Sequence, residues 1–407
     1  MKTEQPAHNP TYDHMRLNEE SITLLDTIRQ RFPPSIPEKA RLRLTDKMAM
    51  HGAGIARQRG DTTVTVDDIL MGVHQFLWPE HLNLIRLTLG ISPEKMEAYR
   101  QARLALDYVS VDDFLSNLKA VAKTCSVEIQ EEKLLPALNC YKDPLEYETV
   151  YIKTTNRDLT PREFFIRPGN AAKWFDLAAM AKDHGLADFY DNPLYKAYLS
   201  ICNEVGAVGS MVDISVDGEI KKFYAYFAHK AQPLGRIRKC ENLPESILKN
   251  SAMLESLGLK RFAIFGVDFQ HNSFNFYYHT DELRLDRAKL ESIFKALDFR
   301  LPSEAMLKEL ESAATIYFTF TYTSDRIERL CFTRIYEDSM EKPVELVPEL
   351  REFIEEAPIK TAKRNLLMGF TFDKKGCYLK VELDYRSSLY IPKHMKYGGL
   401  YCSLDEF

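Results

Sequence analysis

The sequence predicts an α+β chain: a small all-α domain followed by a ten-stranded antiparallel barrel surrounded by helices. Two observations carry that expectation. Five segments, EYETVYIKTT, EIKKFYAYFAH, HNSFNFYYHT, DRIERLCFTRI and GCYLKVELDY, alternate apolar residues with polar ones and place Lys153, Lys222, Asn275, Arg329 and Lys380 inside strands at intervals of 69, 53, 54 and 51 residues, the mark of a repeated unit. Helical patterns separate the strand pairs, and antiparallel strands with helices against one face leave no exposed edge if the sheet closes.

Residues 1–15 read as a disordered tail, 16–106 as the small helical domain and 110–407 as the barrel. The first helix carries Ile22, Leu25, Ile28 and Phe32 and stops at Pro33-Pro34, as proline cannot continue a helix. A second should start near Pro37 and end at Gly60, and Asp67 is placed to cap a third. No segment up to residue 106 alternates as a strand over more than four residues. Next, SVDDFLSNLKAVAKTC is a capped amphipathic helix. Hairpins are then expected over 147–168, 209–229, 260–280, 313–336 and 366–386, with short turns such as QHNS, TSDR and DKKG making neighbouring strands antiparallel.

Composition excludes several classes. The net charge of −5 gives no basic footprint for nucleic acid. No apolar run reaches the length of a membrane span, and the polar N-terminus lacks the apolar core of a signal peptide. Seven scattered cysteines without a CxxC argue against disulfide or zinc frameworks and for a reducing cytoplasm. There is no GxGxxG, Walker loop, HExxH or DDxxD in the chain.

Successive strand side chains point to opposite faces. One parity gives Lys222/Tyr224/Tyr226, Asn275/Tyr277/His279, Thr315/Tyr317/Thr319, Arg329/Cys331/Thr333 and Lys380/Glu382/Asp384; the other is Phe- and Leu-rich. If the apolar parity meets the helices, the polar parity lines the lumen. Solvent exposure alone also produces a polar sheet face, but this one is rich in tyrosine and repeats its cations at a similar depth. Lys222, Arg329 and Lys380 supply charge for a diphosphate, with Asn275 and Tyr317 as neutral donors. The Tyr224 and Tyr277 rings could shield an allyl cation, worth about 2 kcal/mol when desolvated. Glu382 and Asp384 are either general bases, partners for phenols, or salt-bridge partners of a neighbouring cation.

The motifs IKKFYAYF, VDFQHNSFNFYY, IYFTFTYTSDRIERLCF and LLMGFTFDKKGCYLKVELDY, with the lead-in LKAVAKTCSVEIQEEKLLPALNCYKD, resemble in order and spacing the soluble ABBA-fold (α-β-β-α) aromatic prenyltransferases of the naphterpin and aminocoumarin pathways. The resemblance covers roughly residues 110–390. It implies an enzyme that ionises an allylic diphosphate, dimethylallyl or geranyl, and lets an electron-rich aromatic carbon capture the cation. It assigns Lys222, Asn275, Tyr317, Arg329 and Lys380 to the diphosphate and Tyr224 and Tyr277, with Ile264 nearby, to the prenyl chain; Thr315 and Cys331 join them in the pocket. Some members bind Mg²⁺ through an Asp whose position here is Arg162, with Glu163 beside it. With Arg162 and Lys153 both facing inward and joining the diphosphate-binding set, cations would replace the metal, so no cofactor is expected and Mg²⁺ is not expected to be required. On the last hairpin Glu382 and Asp384 stand where the naphterpin-type enzyme has small or aromatic residues; a carboxylate here resembles the aminocoumarin branch and implies a hydroxylated acceptor.

IPEKARLRLTDKMAMHGAGIARQRGDTTVTVDDIL is similar to the C-terminal helical domain of light-independent protochlorophyllide reductase subunits. This implies a module for a protein partner or self-association, or a stabilising appendage. Two alternatives to the enzyme remain: a non-catalytic isoprenoid or aromatic ligand carrier, and another phosphorylated-ligand enzyme on the same barrel.

Overall fold

The computed structural model describes residues 11–12, 15–34, 36–74, 79–157, 163–170, 174–227, 231–280, 283–336, 346–360 and 364–386. Two compact units divide the chain, one ending at Tyr108 and the next starting at Val109.

In the first unit the helices are α1 (Glu19–Arg31), α2 (Glu38–Gln58), α3 (Val66–Val73), α4 (Pro79–Leu89) and α5 (Pro93–Asp107). Leu25, Ile28, Leu44, Met48 and Ile69 form its buried core. Two expectations change. The cap of α3 is Thr65, not Asp67: its side chain accepts from the Asp68 backbone N–H while the Asp68 carboxylate accepts from the Thr65 backbone N–H, a reciprocal capping box. The unit is also not purely helical. Met15–Leu17 pairs parallel with Thr63–Val64 and antiparallel with Thr11–Tyr12, so strand structure reaches into the stretch expected to be a disordered tail. Strands of two or three residues are too short for an alternating pattern to register.

The second unit is a closed barrel of ten antiparallel strands: β1 (Thr149–Thr155), β2 (Phe164–Asn170), β3 (Ala207–Ser215), β4 (Ile220–Phe227), β5 (Ile264–Asp268), β6 (Ser273–His279), β7 (Thr315–Thr321), β8 (Arg329–Tyr336), β9 (Leu366–Asp373) and β10 (Gly376–Arg386). Each strand pairs with the next in sequence, and β10 pairs with β1 to close the ring. This is the ten-stranded barrel expected from the sequence.

Helices α6 (Val111–Thr124), α7 (Glu131–Cys140), α8 (Lys142–Tyr147), α9 (Leu177–Asp183), α10 (Pro193–Val205), α11 (Glu245–Ser256), α12 (Arg287–Ala296), α13 (Glu304–Leu310) and α14 (Pro348–Glu356) accompany the strands. The apolar parity meets them. Phe294 of α12 packs edge-on against Phe372 at 4.9 Å, Tyr198 of α10 lies 5.3 Å from Phe265, and Phe114 of α6 lies 5.0 Å from Tyr385. Phe223, Phe276, Phe318 and Phe332 are fully buried in the same core. Each such side chain stabilises the fold by roughly 1.5–3 kcal/mol, so the core lies outside the barrel wall and the lumen is free to be polar.

Candidate active site

The lumen holds a cavity lined by Tyr151, Arg167, Tyr224, Tyr226, Ile264, Tyr277, Tyr317, Cys331, Thr333, Leu367, Gly369, Lys380 and Glu382. Register explains the gathering. Ile264 faces Tyr226 on one side and Tyr277 on the other; Tyr277 faces Tyr317; Tyr317 faces Cys331. Direct cross-strand neighbours lie within contact distance, so Tyr277 and Tyr317 adjoin; Tyr224, opposite Gly266 one step along, reaches Tyr277 across the glycine and completes a wall of three tyrosines. The Tyr277 and Tyr317 ring centroids are 4.4 Å apart and those of Tyr224 and Tyr277 6.3 Å. Burial pushes all three phenols well above the usual value, so they remain neutral donors. Gly266 seats the wall: a Cβ there would lie 2.9 Å from the Tyr224 ring.

The cations divide into two groups. Lys153, Arg167 and Lys222 each hold a carboxylate. Lys153 pairs with Asp213. Arg167 donates Nε to Asp213 Oδ1 at 2.6 Å, pairs with Glu382, and lies 4.4 Å over the Tyr224 ring. Its Nη2 and the Tyr224 hydroxyl are 2.9 Å apart, and that hydroxyl donates to Asp213 Oδ2 at 3.0 Å. Lys222 pairs with Asp268 at 2.5 Å, and His271 Nδ1 lies 3.0 Å from the same oxygen. Burial would raise Asp213, but Arg167 and Lys153 outweigh it and hold it far below the usual carboxylate range. Burial lowers the Lys153 ammonium to about 8, with Arg167 and Lys222 adding to the effect and Asp213 opposing it.

Arg329, Lys380 and Arg157 form the second group, and no carboxylate pairs with them among the described residues. Lys380 Nζ donates to the Tyr317 hydroxyl at 2.9 Å. Asn275 Oδ1 accepts from Thr319 Oγ1 at 2.6 Å, which leaves its amide N–H groups for a ligand. Thr319 faces Arg329 in the register, so Asn275 and Arg329 lie on one level of the wall.

Of the residues singled out in the sequence, Tyr224, Tyr277, Ile264, Tyr317, Cys331, Lys380 and Glu382 line the cavity. Lys153, Lys222 and Asn275 are buried on the same lumen parity. Thr315 is buried opposite Thr333, and it is Thr333 that reaches the cavity. Asp384 faces Tyr151 in the register and is fully buried; burial drives its carboxyl well above the usual range, against Arg386. It lies outside the cavity lining, so the two carboxylates of β10 do not share one place.

Arg162 lies outside the described residues. Because Lys153 faces Phe165 and Tyr151 faces Arg167, alternation puts Glu163 on the lumen side. The cation that joins Lys153 is Arg167. FFIRPG carried the signal, since Phe164/Ile166 and Phe165/Arg167 separate by parity; MVDIS hid Asp213 likewise. Among the described residues no three carboxylate, histidine or cysteine side chains come together to hold a metal. Asp213 and Asp268 are already occupied by ammonium and guanidinium groups, which leaves Glu163, with a buried carboxylate oxygen, as the inward carboxylate nearest the position where some family members hold Mg²⁺.

The ten-stranded barrel thus encloses a polar, tyrosine-walled lumen in which Arg329 and Lys380 have no carboxylate partner among the described residues. The family model for aromatic prenyltransferase Orf2 matches residues 109–391, and the chain belongs to that family. It is 20% identical over 273 residues to 5,10-dihydrophenazine-1-carboxylate 9-dimethylallyltransferase of Streptomyces anulatus, covering 66% of this chain and 91% of the relative. It is 22% identical over 237 residues to flaviolin linalyltransferase of Streptomyces virginiae, covering 57% and 78%. The furaquinocin biosynthesis prenyltransferase of a Streptomyces species (strain KO-3988) is 22% identical over 286 residues, covering 70% and 92%. The protein is therefore an enzyme that transfers a prenyl group to an aromatic molecule. Neither the carrier reading nor the other phosphorylated-ligand reading is favoured. Among the described residues no helix is long and apolar enough to cross a membrane.

Proposed function

We propose that this enzyme takes dimethylallyl or geranyl diphosphate as donor and a hydroxylated aromatic molecule as acceptor, and needs no divalent metal. The observation that carries the reading is that Arg329 and Lys380 have no carboxylate partner among the described residues, whereas Lys153, Arg167 and Lys222 each have one. Sheltered charge without a counter-charge is costly, and a diphosphate supplies the counter-charge. Lys222, Asn275, Tyr317, Arg329 and Lys380 hold the donor. The C–O bond breaks with both electrons on the diphosphate oxygen, and the Tyr224 and Tyr277 faces shield the allyl cation. The acceptor carbon attacks, and Glu382 takes the ring proton that restores aromaticity. Arg167 and Lys153 neutralise the carboxylate end of the lumen in place of a metal ion.

The relatives' printed names, a dihydrophenazine-carboxylate dimethylallyltransferase and a flaviolin linalyltransferase, support a fused-ring aromatic acceptor and a C5 or C10 donor. The described cysteines form no disulfide, which fits a reducing cytoplasm, and the helical first unit is read as a docking or self-association module. The test is turnover of dimethylallyl and geranyl diphosphate with phenolic acceptors in EDTA, followed by mass spectrometry. Prenylated product in EDTA supports the reading; product that appears only when Mg²⁺ is restored overturns metal independence and points to Glu163.

A further inference from the structure

Tyr378, two residues before Lys380 on β10, is 8% exposed, and its buried hydroxyl is a hydrogen-bonding neighbour of the Arg329 guanidinium. A guanidinium only donates, so the phenol's own O–H remains for another acceptor. The surroundings are cationic. The Arg157 guanidinium lies 5.2 Å from the ring centroid and Lys380 Nζ 5.4 Å from it. The ionisable groups that face it are Arg157 after β1, Arg329 from β8, Tyr317 from β7 and Lys380 on its own strand; β9 contributes Thr371 opposite it. None of these is a carboxylate. Burial would raise this phenol, but Lys380, Arg329 and Arg157 outweigh it and hold it below the ordinary value, while Tyr224, Tyr277 and Tyr317 go up.

We infer that Tyr378 is the catalytic acid of the ionisation step, donating its O–H proton to the diphosphate held by Lys380 and Arg329. The inference rests on the diphosphate reading of those two cations. As the allylic C–O bond breaks, its electron pair stays on the departing oxygen and the Tyr378 proton passes to the diphosphate. The phenolate is held between Arg157 and Lys380. It recovers a proton from water once hydrogen diphosphate leaves, while the proton lost by the acceptor ring goes to Glu382. Glu382 passes the ring proton on to water, so uptake and release cancel, no net proton is released per turnover and no further reactant is needed.

The experiment is kcat against pH at saturating substrates for the wild type, Tyr378→Phe, Lys380→Ala and a protein with 3,5-difluorotyrosine at 378. Expected are a wild-type rate that falls on the alkaline side, a Phe variant slower by roughly 10²-fold with that limb gone and acceptor KM unchanged, and a fluorinated protein whose limb moves to lower pH. Tyr378→Phe within about twofold of wild type with its limb intact, or a limb that fluorination does not move, overturns the role of Tyr378. If the Phe variant does not fold, the fluorinated protein, which keeps the ring and hydroxyl, decides. Lys380→Ala at the wild-type rate overturns the diphosphate cradle itself; its inactivity beside a normal Tyr378→Phe overturns only the acid.

Discussion

Lys380 reaches Tyr317 across the curve of the wall: its ammonium donates to the phenol oxygen at 2.9 Å although β8 and β9 lie between their strands. That bond fixes a cation at the end of the tyrosine wall, where an anion would meet an allyl chain lying along the rings. Charge and aromatic surface are thus held in one geometry before a ligand arrives, the preorganisation on which electrostatic catalysis depends.

The first prediction follows from the division of the cations. Arg329→Ala and Lys380→Ala should each lower turnover by about 10²–10³-fold with Tm unchanged or raised, because no carboxylate loses its partner. Product formation and differential scanning calorimetry check both halves. Wild-type turnover in either variant would remove it from the diphosphate site.

Arg167→Met should behave in the opposite way. It strips Glu382 and, in part, Asp213 of a buried counter-charge, a loss of about 3 kcal/mol, or roughly 6–12 °C in Tm for a domain of this size. A Tm equal to wild type would show that the network carries no structural energy.

Glu382→Gln keeps a hydrogen-bond acceptor for Arg167 but no longer accepts a proton. A fall in kcat of about 10²–10³-fold should come with a kinetic isotope effect when the acceptor carries deuterium at the prenylated carbon. An unchanged rate would move the base elsewhere.

Two pH windows for stability follow from linkage. Lys153 titrates at about 8 in the folded chain against its ordinary 10.5. Between those values the unfolded state keeps a proton that the folded state has lost, so this group makes stability rise with pH from about 8 to 10.5. Asp213 and Asp268 are held below the ordinary 3.8; their stabilisation is present above that value and is lost as pH falls through their folded values. Urea unfolding of wild type and Lys153→Met across the alkaline window should show a steeper rise in the wild type. Parallel curves would contradict the assignment.

Gly369 lines the cavity, and a Cβ there would lie 3.1 Å from Cys331 Sγ. Gly369→Val should therefore narrow the lumen and reduce use of geranyl diphosphate by about tenfold relative to dimethylallyl diphosphate. Competition between the two donors, quantified by mass spectrometry, reads the ratio directly.

The barrel was legible because its strands are long enough for parity to separate phenylalanine from tyrosine and lysine, and its turns are short. Tyr224, Tyr277, Tyr317 and Lys380 emerged from that pattern. Arg167 and Asp213 did not, since their importance lies in a contact between β2 and β3, and one strand's alternation does not say what faces it. Glu163 faces inward because the pairing of β1 with β2 sets the parity, a register that one missing or added residue reverses. The two-residue strand Thr63–Val64 left no periodic trace, and the cationic setting of the Tyr378 hydroxyl is a property of its surroundings alone.

Closure of the ring joins the most distant parts of the barrel: Thr155 on β1 donates its hydroxyl to the Leu379 carbonyl on β10, 224 residues away. The closing strand is also the last of the barrel to leave a ribosome, and pairings this remote form slowly. Until it docks, β1 and β9 are open edges that invite pairing with other chains, and neither Lys380 nor Glu382 has a place to act. A nascent or truncated chain lacking Gly376–Arg386 is therefore more than an enzyme of reduced activity: it is a nine-stranded sheet with two adhesive borders, and quality control in the cell must bridge the interval before the tenth strand arrives.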